Sequence, residues 1–187
     1  GILVANGHEV QVEQGAGEHA HFSDAEYAEN GANIVYSKKE AFEANLIVKV
    51  EPPTSEEIDL MKSGATVFSA MQLANTSAAY YEALNKKKIS ALGFELLQDK
   101  AGGLPIVNAM SELAGSLAIP IAVEYLSTAN GGKGIILGGI TGVPPTRVII
   151  LGAGTVAEYA SRAALGLGAE VRIFDNEIYK LRRIKHK

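Results

Sequence analysis

Six residues near the end of the chain have the types and spacing of an anion-binding turn. Gly152-Ala153-Gly154-Thr155-Val156-Ala157 follows the apolar run Val148, Ile149, Ile150 and Leu151. A glycine at 152 permits a tight turn out of a strand. A glycine at 154 lets backbone N–H groups approach a pyrophosphate at the start of the next helix, and a small residue at 157 lets that helix pack closely on the strand. Asp175 stands about 20 residues beyond the turn, where a carboxylate can accept a hydrogen bond from a ribose 2′-hydroxyl. Such a pattern holds a dinucleotide. Asp175 would repel a 2′-phosphate, which favours NAD over NADP, although Arg182 and Arg183 lie nearby in sequence and act against that preference.

For these residues to meet, 147–151 must be a strand, 155–167 a helix closed by Gly168, and 171–175 a second strand. The same alternation runs through the chain upstream. Residues 8–12 alternate polar and apolar like a half-buried strand. Ser23 and Glu26 have capping-box spacing at the head of a short helix ending at Asn30-Gly31. Residues 34–36 read as a strand and 38–44 as a helix. Residues 46–50, Leu-Ile-Val-Lys-Val, form an apolar run expected of a strand covered on both faces. Pro52-Pro53 ends it, and Thr54 to Glu57 caps the next helix. Strands at 66–70 and 90–95 flank a helix at 77–85.

Strands alternating with helices imply an α/β protein: two doubly wound, mainly parallel sheets of Rossmann type. Residues 110–127 read as one long helix with Pro120 in its interior, joining the two. The glycine- and proline-rich stretch from Ala129 to Pro145 marks the boundary. Residues 1–128 are therefore expected to form a first domain lacking its first strand, since residues 1–6 read as the end of a helix. Residues 129–187 would open a second, incomplete dinucleotide-binding domain. In parallel sheets ligands sit beyond the carboxyl ends of the strands. Glu51, residues 70–73 and residues 95–97 are thus the places in the first domain to seek chemistry.

Composition narrows the classes. Hydrophobic residues make up 47% and charged residues 20%, as in ordinary soluble globular proteins. The net charge of −4 favours neither nucleic acid nor an anionic membrane. With no cysteine, disulfides and thiolate chemistry are excluded, which fits a reducing cytoplasm. The most apolar region, 104–126, contains Asn108, Ser111, Glu112, Gly115, Pro120 and Glu124, so no segment is read as crossing a membrane. The chain opens without Met or a basic leader.

Other candidates favour plain readings. His19 and His21 could share a face as a metal pair, but no third ligand is near, and a solvent loop is preferred. The basic end from Lys180 reads as the solvated face of a helix, and Tyr80-Tyr81 as packing. Glu95 and Glu112 could serve as general acids, but a strand end and a first helical turn are also places where carboxylates are structural. Lys49 lies two residues before Glu51, so an extended strand puts both on one face. Lys49 then either reaches the crevice or pairs with Glu51.

Several stretches together resemble the alanine dehydrogenase and pyridine nucleotide transhydrogenase family. They are GHEVQVEQGAGE at 7–18, LIVKVEPP at 46–53, PIVNAMSELAG at 105–115, GGKGIILGGITGVPPTRVIILGAGTV at 131–156, and FDNEIYKLR from Phe174. The resemblance covers essentially the whole chain and is closer to alanine dehydrogenase. The transhydrogenase component carries an Arg- and Gln-rich loop before the long helix, whereas residues 97–105 here contain no arginine. By the family pattern Ser111 would contact the cofactor, and Thr155, Val156, Asp175 and Lys180 would line its pyrophosphate and adenosine half.

Two positions depart from that pattern. Glu51 stands where the family places a substrate-holding lysine, and Gln72 where it places an acid/base histidine. Glutamine does not titrate, and Glu51 would repel a substrate carboxylate. The resemblance implies NAD-linked oxidation of L-alanine or a similar small amino acid to an oxo acid and ammonia, in a homo-oligomer. The alternatives are a transhydrogenase-like NAD(H)-binding component and a catalytically silent NAD-binding protein.

Overall fold

The computed structural model describes residues 1–72 and 76–185. It divides into two compact units, Gly1–Leu97 and Gln98–Lys187. The division falls upstream of the glycine-rich stretch because the long helix packs with the second unit.

In the first unit, α1 (Ile2–Ala5) leads to β1 (Gln11–Glu13), α2 (Asp24–Glu29) and β2 (Asn33–Val35). Strands β1 and β2 pair in parallel, Gln11 opposite Asn33. Then follow α3 (Lys38–Phe42), β3 (Leu46–Val48), α4 (Ser55–Leu60), β4 (Thr66–Ser69), α5 (Ala78–Lys86) and β5 (Ser90–Gly93). The order β3-β4-β5 is all parallel, with Leu46 opposite Thr66 and Thr66 opposite Ser90. The helices begin where side chains can satisfy orphan N–H groups. Ser23 and Glu26 form a reciprocal capping box, as do Thr54 and Glu57, and Ser37 accepts from the Glu40 N–H. Phe42, Ile47, Ile58, Met61, Val67, Met71 and Leu84 make the core beneath β3-β4-β5.

The run at 46–50 is not covered on both faces. Ile47 enters the core, but Leu46 is 55% and Val48 67% exposed. Alternation sends these two side chains to the other side of the pleat, where no described element of this unit buries them. An apolar run cannot reveal which of its faces is covered.

The second unit contains α6 (Pro105–Leu126), β6 (Arg147–Leu151), α7 (Thr155–Gly166), β7 (Glu170–Phe174) and α8 (Ile178–Lys185). Helix α6 starts five residues before the expected 110, with Pro105 in its first turn, where a missing N–H costs nothing. Gly115 lets α6 close on α7: a Cβ there would lie 2.4 Å from the Val156 carbonyl oxygen. Ile119, Leu137, Ala160, Ala164 and Ala169 form the core, with Val148, Ile150 and Val171 packed against it. By length and composition α6 is apolar enough to cross a bilayer, a property shared with core helices of water-soluble proteins. Strands β6 and β7 pair in parallel from Arg147–Glu170 to Leu151–Phe174.

Candidate functional site

The dinucleotide turn takes its shape from backbone conformation. Strand β6 ends at Leu151, and Gly152 turns the chain at φ +98°, a region closed to most side chains. Gly152 N–H still donates to the Phe174 carbonyl, 2.7 Å away, so the turn stays tied to β7. Gly154 is the N-cap of α7, and no side chain caps that helix. A Cβ at Gly152 or at Gly154 would meet nothing within 4 Å. Open space therefore lies over uncapped N–H groups at the positive end of a 12-residue helix, and it suits a phosphate.

Asp175 closes this turn from the end of β7. Its Oδ1 accepts the Glu177 N–H at 2.7 Å and its Oδ2 the Ala153 N–H at 2.7 Å. These two donors, Glu177 first, hold the carboxyl below the usual aspartate range, with Lys180 adding attraction. Asp175 is thus a fixed anion with lone pairs left for hydroxyl donors. Thr155 and the half-exposed Val156 form the first turn of α7, and Ala157 is buried against the strand. Ser111 lies one turn before Gly115, on the side of α6 that meets Val156. Lys180 Nζ lies 2.6 Å from Glu177 Oε1, which satisfies its charge locally. The residues of the turn fit a dinucleotide by backbone donors and a fixed carboxylate.

In the first unit, the ends of β3, β4 and β5 bring Glu51, Gln72 and Glu95 to one edge. Glu51 is exposed after β3 and makes no hydrogen bond or ion pair with a described residue. Gln72 follows β4 with φ +47°, a left-handed backbone uncommon for a non-glycine residue. Glu95 sits in a 3-10 turn just after β5. Its Oε1 accepts the N–H groups of Met71 at 2.8 Å and Gln72 at 2.9 Å, and its Oε2 lies 3.1 Å from the Met71 nitrogen. Residue 73, also among the places to seek chemistry, lies outside the described residues.

Lys49 joins neither the crevice nor Glu51. Its Nζ is 2.6 Å from Glu57 Oε2, with Lys38 3.8 Å from Oε1 and the Phe42 ring centroid 5.9 Å from Nζ. Strand β3 stops at Val48, so two-residue alternation does not carry on to Glu51. Burial alone would raise the Glu57 carboxyl. The Lys49 hydrogen bond, the Thr54 N–H and both lysine charges outweigh it and hold Glu57 below the usual glutamate range.

The other candidates find structural neighbours. Glu112 bonds the Tyr159 hydroxyl, which pushes that phenol up. Tyr80 and Tyr81 stack edge to face, 5.9 Å between centroids. His19 lies in a 3-10 turn at Glu18–Ala20 and His21 follows it, and among the described residues no group of three His, Cys, Asp or Glu could hold a metal. Of the basic end, residues 186 and 187 lie outside the described residues.

Comparison with known proteins matches this geometry. Residues 1–114 match the domain described as Alanine dehydrogenase/PNT, N-terminal domain, and residues 118–187 the corresponding C-terminal domain. An alanine dehydrogenase of Staphylococcus epidermidis is 40% identical over 173 residues, 92% of this chain and 46% of that protein. A solved L-alanine dehydrogenase superposes with TM-score 0.89 at 36% identity, covering 99% of this chain and 51% of the other. A transhydrogenase from Sinorhizobium meliloti gives TM-score 0.84 at 26% identity, covering 99% and 55%. The chain spans about half the length of the curated relatives it matches. With both family domains matched in order along an α/β chain of parallel sheets, this chain belongs to the alanine dehydrogenase/PNT family.

Proposed function

We propose that this chain is part of an NAD-linked oxidoreductase of the alanine dehydrogenase type. It would act as a cytoplasmic homo-oligomer on a small-molecule amino acid or oxo acid. Residues 1–128 would serve the substrate and 129–187 would open the NAD-binding part. The observation that carries the reading is the turn at Gly152 and Gly154, with open space over uncapped N–H groups and Asp175 locked to the Ala153 and Glu177 amides.

In this reading the α7 N–H groups hold the pyrophosphate, with Thr155, Val156 and Ser111 beside it, and Asp175 orients the adenosine ribose. Bound NAD supplies a hydride acceptor for the α-carbon of the amino acid. Glu51 favours the substrate ammonium group over its carboxylate. Gln72 offers an amide donor and acceptor but no proton, so the proton of deamination passes to water. Lys49 stays with Glu57.

Gln72 also favours a second reading. A transhydrogenase-like component passes hydride directly between two nicotinamides and needs no titrating group at that position. One experiment on the full-length protein separates the two: NADH formation with L-alanine and a panel of small amino acids, beside hydride exchange between NADH and an NADP analogue with a partner subunit. Amino-acid-dependent NADH formation is expected. Exchange without it supports the second reading. NAD binding undetectable by calorimetry defeats both.

A further inference from the structure

Residue 72 is held in an unusual way. Among the described residues Gln72 is one of three non-glycine residues with positive φ, the others being His21 and Lys88. Met71, the residue before it, is buried in the core at 2% exposure, so the chain must leave the core and turn within one residue. Successive N–H groups of 71 and 72 then converge, forming the backbone concavity that binds anions. Here the chain supplies its own anion, since both N–H groups donate to the Glu95 carboxylate at 2.8 and 2.9 Å. The carbonyls of the same two residues lie 3.2 and 3.0 Å from the Thr76 hydroxyl. Gly93 leaves Glu95 room to fold back: a Cβ there would sit 3.0 Å from Glu95 Oε2.

From this geometry, and resting on the reading of 72 as a substrate-facing position, we propose that Glu95 is a positioning residue. Its carboxylate grips the Met71 and Gln72 N–H groups and fixes the Gln72 side chain at the carboxyl end of β4, without touching substrate. Oε1 takes the two shorter contacts, at 2.8 and 2.9 Å, and Oε2 only the 3.1 Å one to Met71. An amide side chain of the same length therefore keeps the grip when its oxygen takes the Oε1 place and its NH2 turns from the Met71 N–H. Aspartate, one methylene shorter, cannot reach. A general acid at 95 behaves in the opposite way: it survives shortening better than loss of its proton.

The test uses full-length protein with Glu95→Gln, Glu95→Asp and Glu95→Ala. Amino-acid-dependent NADH formation should fall about tenfold or more in kcat/KM for Ala and Asp, with KM for NAD unchanged, and recover to within about threefold for Gln. Combining Glu95→Ala with Gln72→Ala should add little to the Glu95→Ala loss. Independently of turnover, hydrogen exchange at the Met71 and Gln72 amides should quicken about tenfold or more in Glu95→Ala. Protection at Ile58 and Val67 should stay as in wild type, which shows that the variant is folded. Unchanged exchange at 71 and 72 overturns the grip. A Gln variant as impaired as Ala, with its Met71 and Gln72 amides still protected as in wild type, overturns the positioning role in favour of proton transfer. A wild-type protein inactive on every amino acid defeats the proposed function instead, and the exchange result then decides the grip alone.

Discussion

At the scale of single residues, the proposed chemistry turns on Gln72 and Glu51. On the proposed function, a glutamine would give the reaction no limb in its pH profile from position 72. Gln72→His in the full-length protein should introduce one, with kcat falling as pH drops below about 6.5, because only neutral imidazole accepts the proton. Above that pH a rate gain of about tenfold or more is expected. A profile identical to wild type would show that residue 72 does not meet the substrate. Glu51→Lys should lower KM for the amino acid about tenfold by replacing repulsion of its carboxylate with attraction. Neither Glu95 nor the Lys49–Glu57 pair had a signal in sequence spacing. Glu95 acts on amides 23 and 24 residues away, and Lys49 prefers a carboxylate eight residues on to the one two residues on. Only the fold brings such partners together.

Glu57 gives a prediction with a sign. Its folded carboxyl lies below its ordinary value of 4.5, so its contribution is complete above that pH. The contribution is lost as pH falls through the folded value. Glu57→Gln should therefore flatten the acid side of the stability curve, seen in denaturant midpoints from neutral pH down to about pH 3. At neutral pH, loss of the charged partner of the partly exposed Lys49 should destabilise by about 2 kcal/mol.

At the scale of elements, the close approach of α6 and α7 sets what the turn can do. A Cβ on Gly115 would lie 2.4 Å from the Val156 carbonyl oxygen and 2.7 Å from the Tyr159 Cβ. Gly115→Ala must push the helices apart, at a cost of about 2 kcal/mol. Val156 sits in the first turn of α7, so the same displacement moves the N–H groups that would face the pyrophosphate on the proposed function. Thermal unfolding should show a Tm lower by about 6 °C, with weaker NAD binding by calorimetry. An unchanged Tm and affinity would mean the helices repack freely. Elements like these were legible to different degrees. Ser23 with Glu26, and Thr54 with Glu57, announce helix starts because the partners lie within one turn. The expected start at 110 passes over Pro105, which occupies the one helical turn that tolerates a proline. The exposure of Leu46 and Val48 depends on what lies across the sheet, which no local pattern encodes.

At the scale of the whole molecule, the chain is acidic, with net charge −4, yet its turn suits a dianionic pyrophosphate. Attraction must then come from local dipoles and N–H groups rather than from the overall field. Lys180, the lysine whose charge acts on the turn's carboxylate, is already engaged by Glu177, and Asp175 is held ionised by two amides. A 2′-phosphate therefore meets a fixed negative charge that Lys180 does not offset, and NAD should bind well ahead of NADP. At a concentration about 100 times its Kd, NAD should add about 2.7 kcal/mol to the unfolding free energy, and NADP at the same concentration much less. Asp175→Asn should narrow that gap by weakening NAD and relieving NADP. If the phosphates are held by the α7 N–H groups, as proposed, raising salt from about 0.05 to 0.5 M should change the NAD Kd by less than about threefold. A steep salt dependence would instead assign the phosphates to Arg182 and Arg183 on α8, and the turn at Gly152 would lose its claim to them.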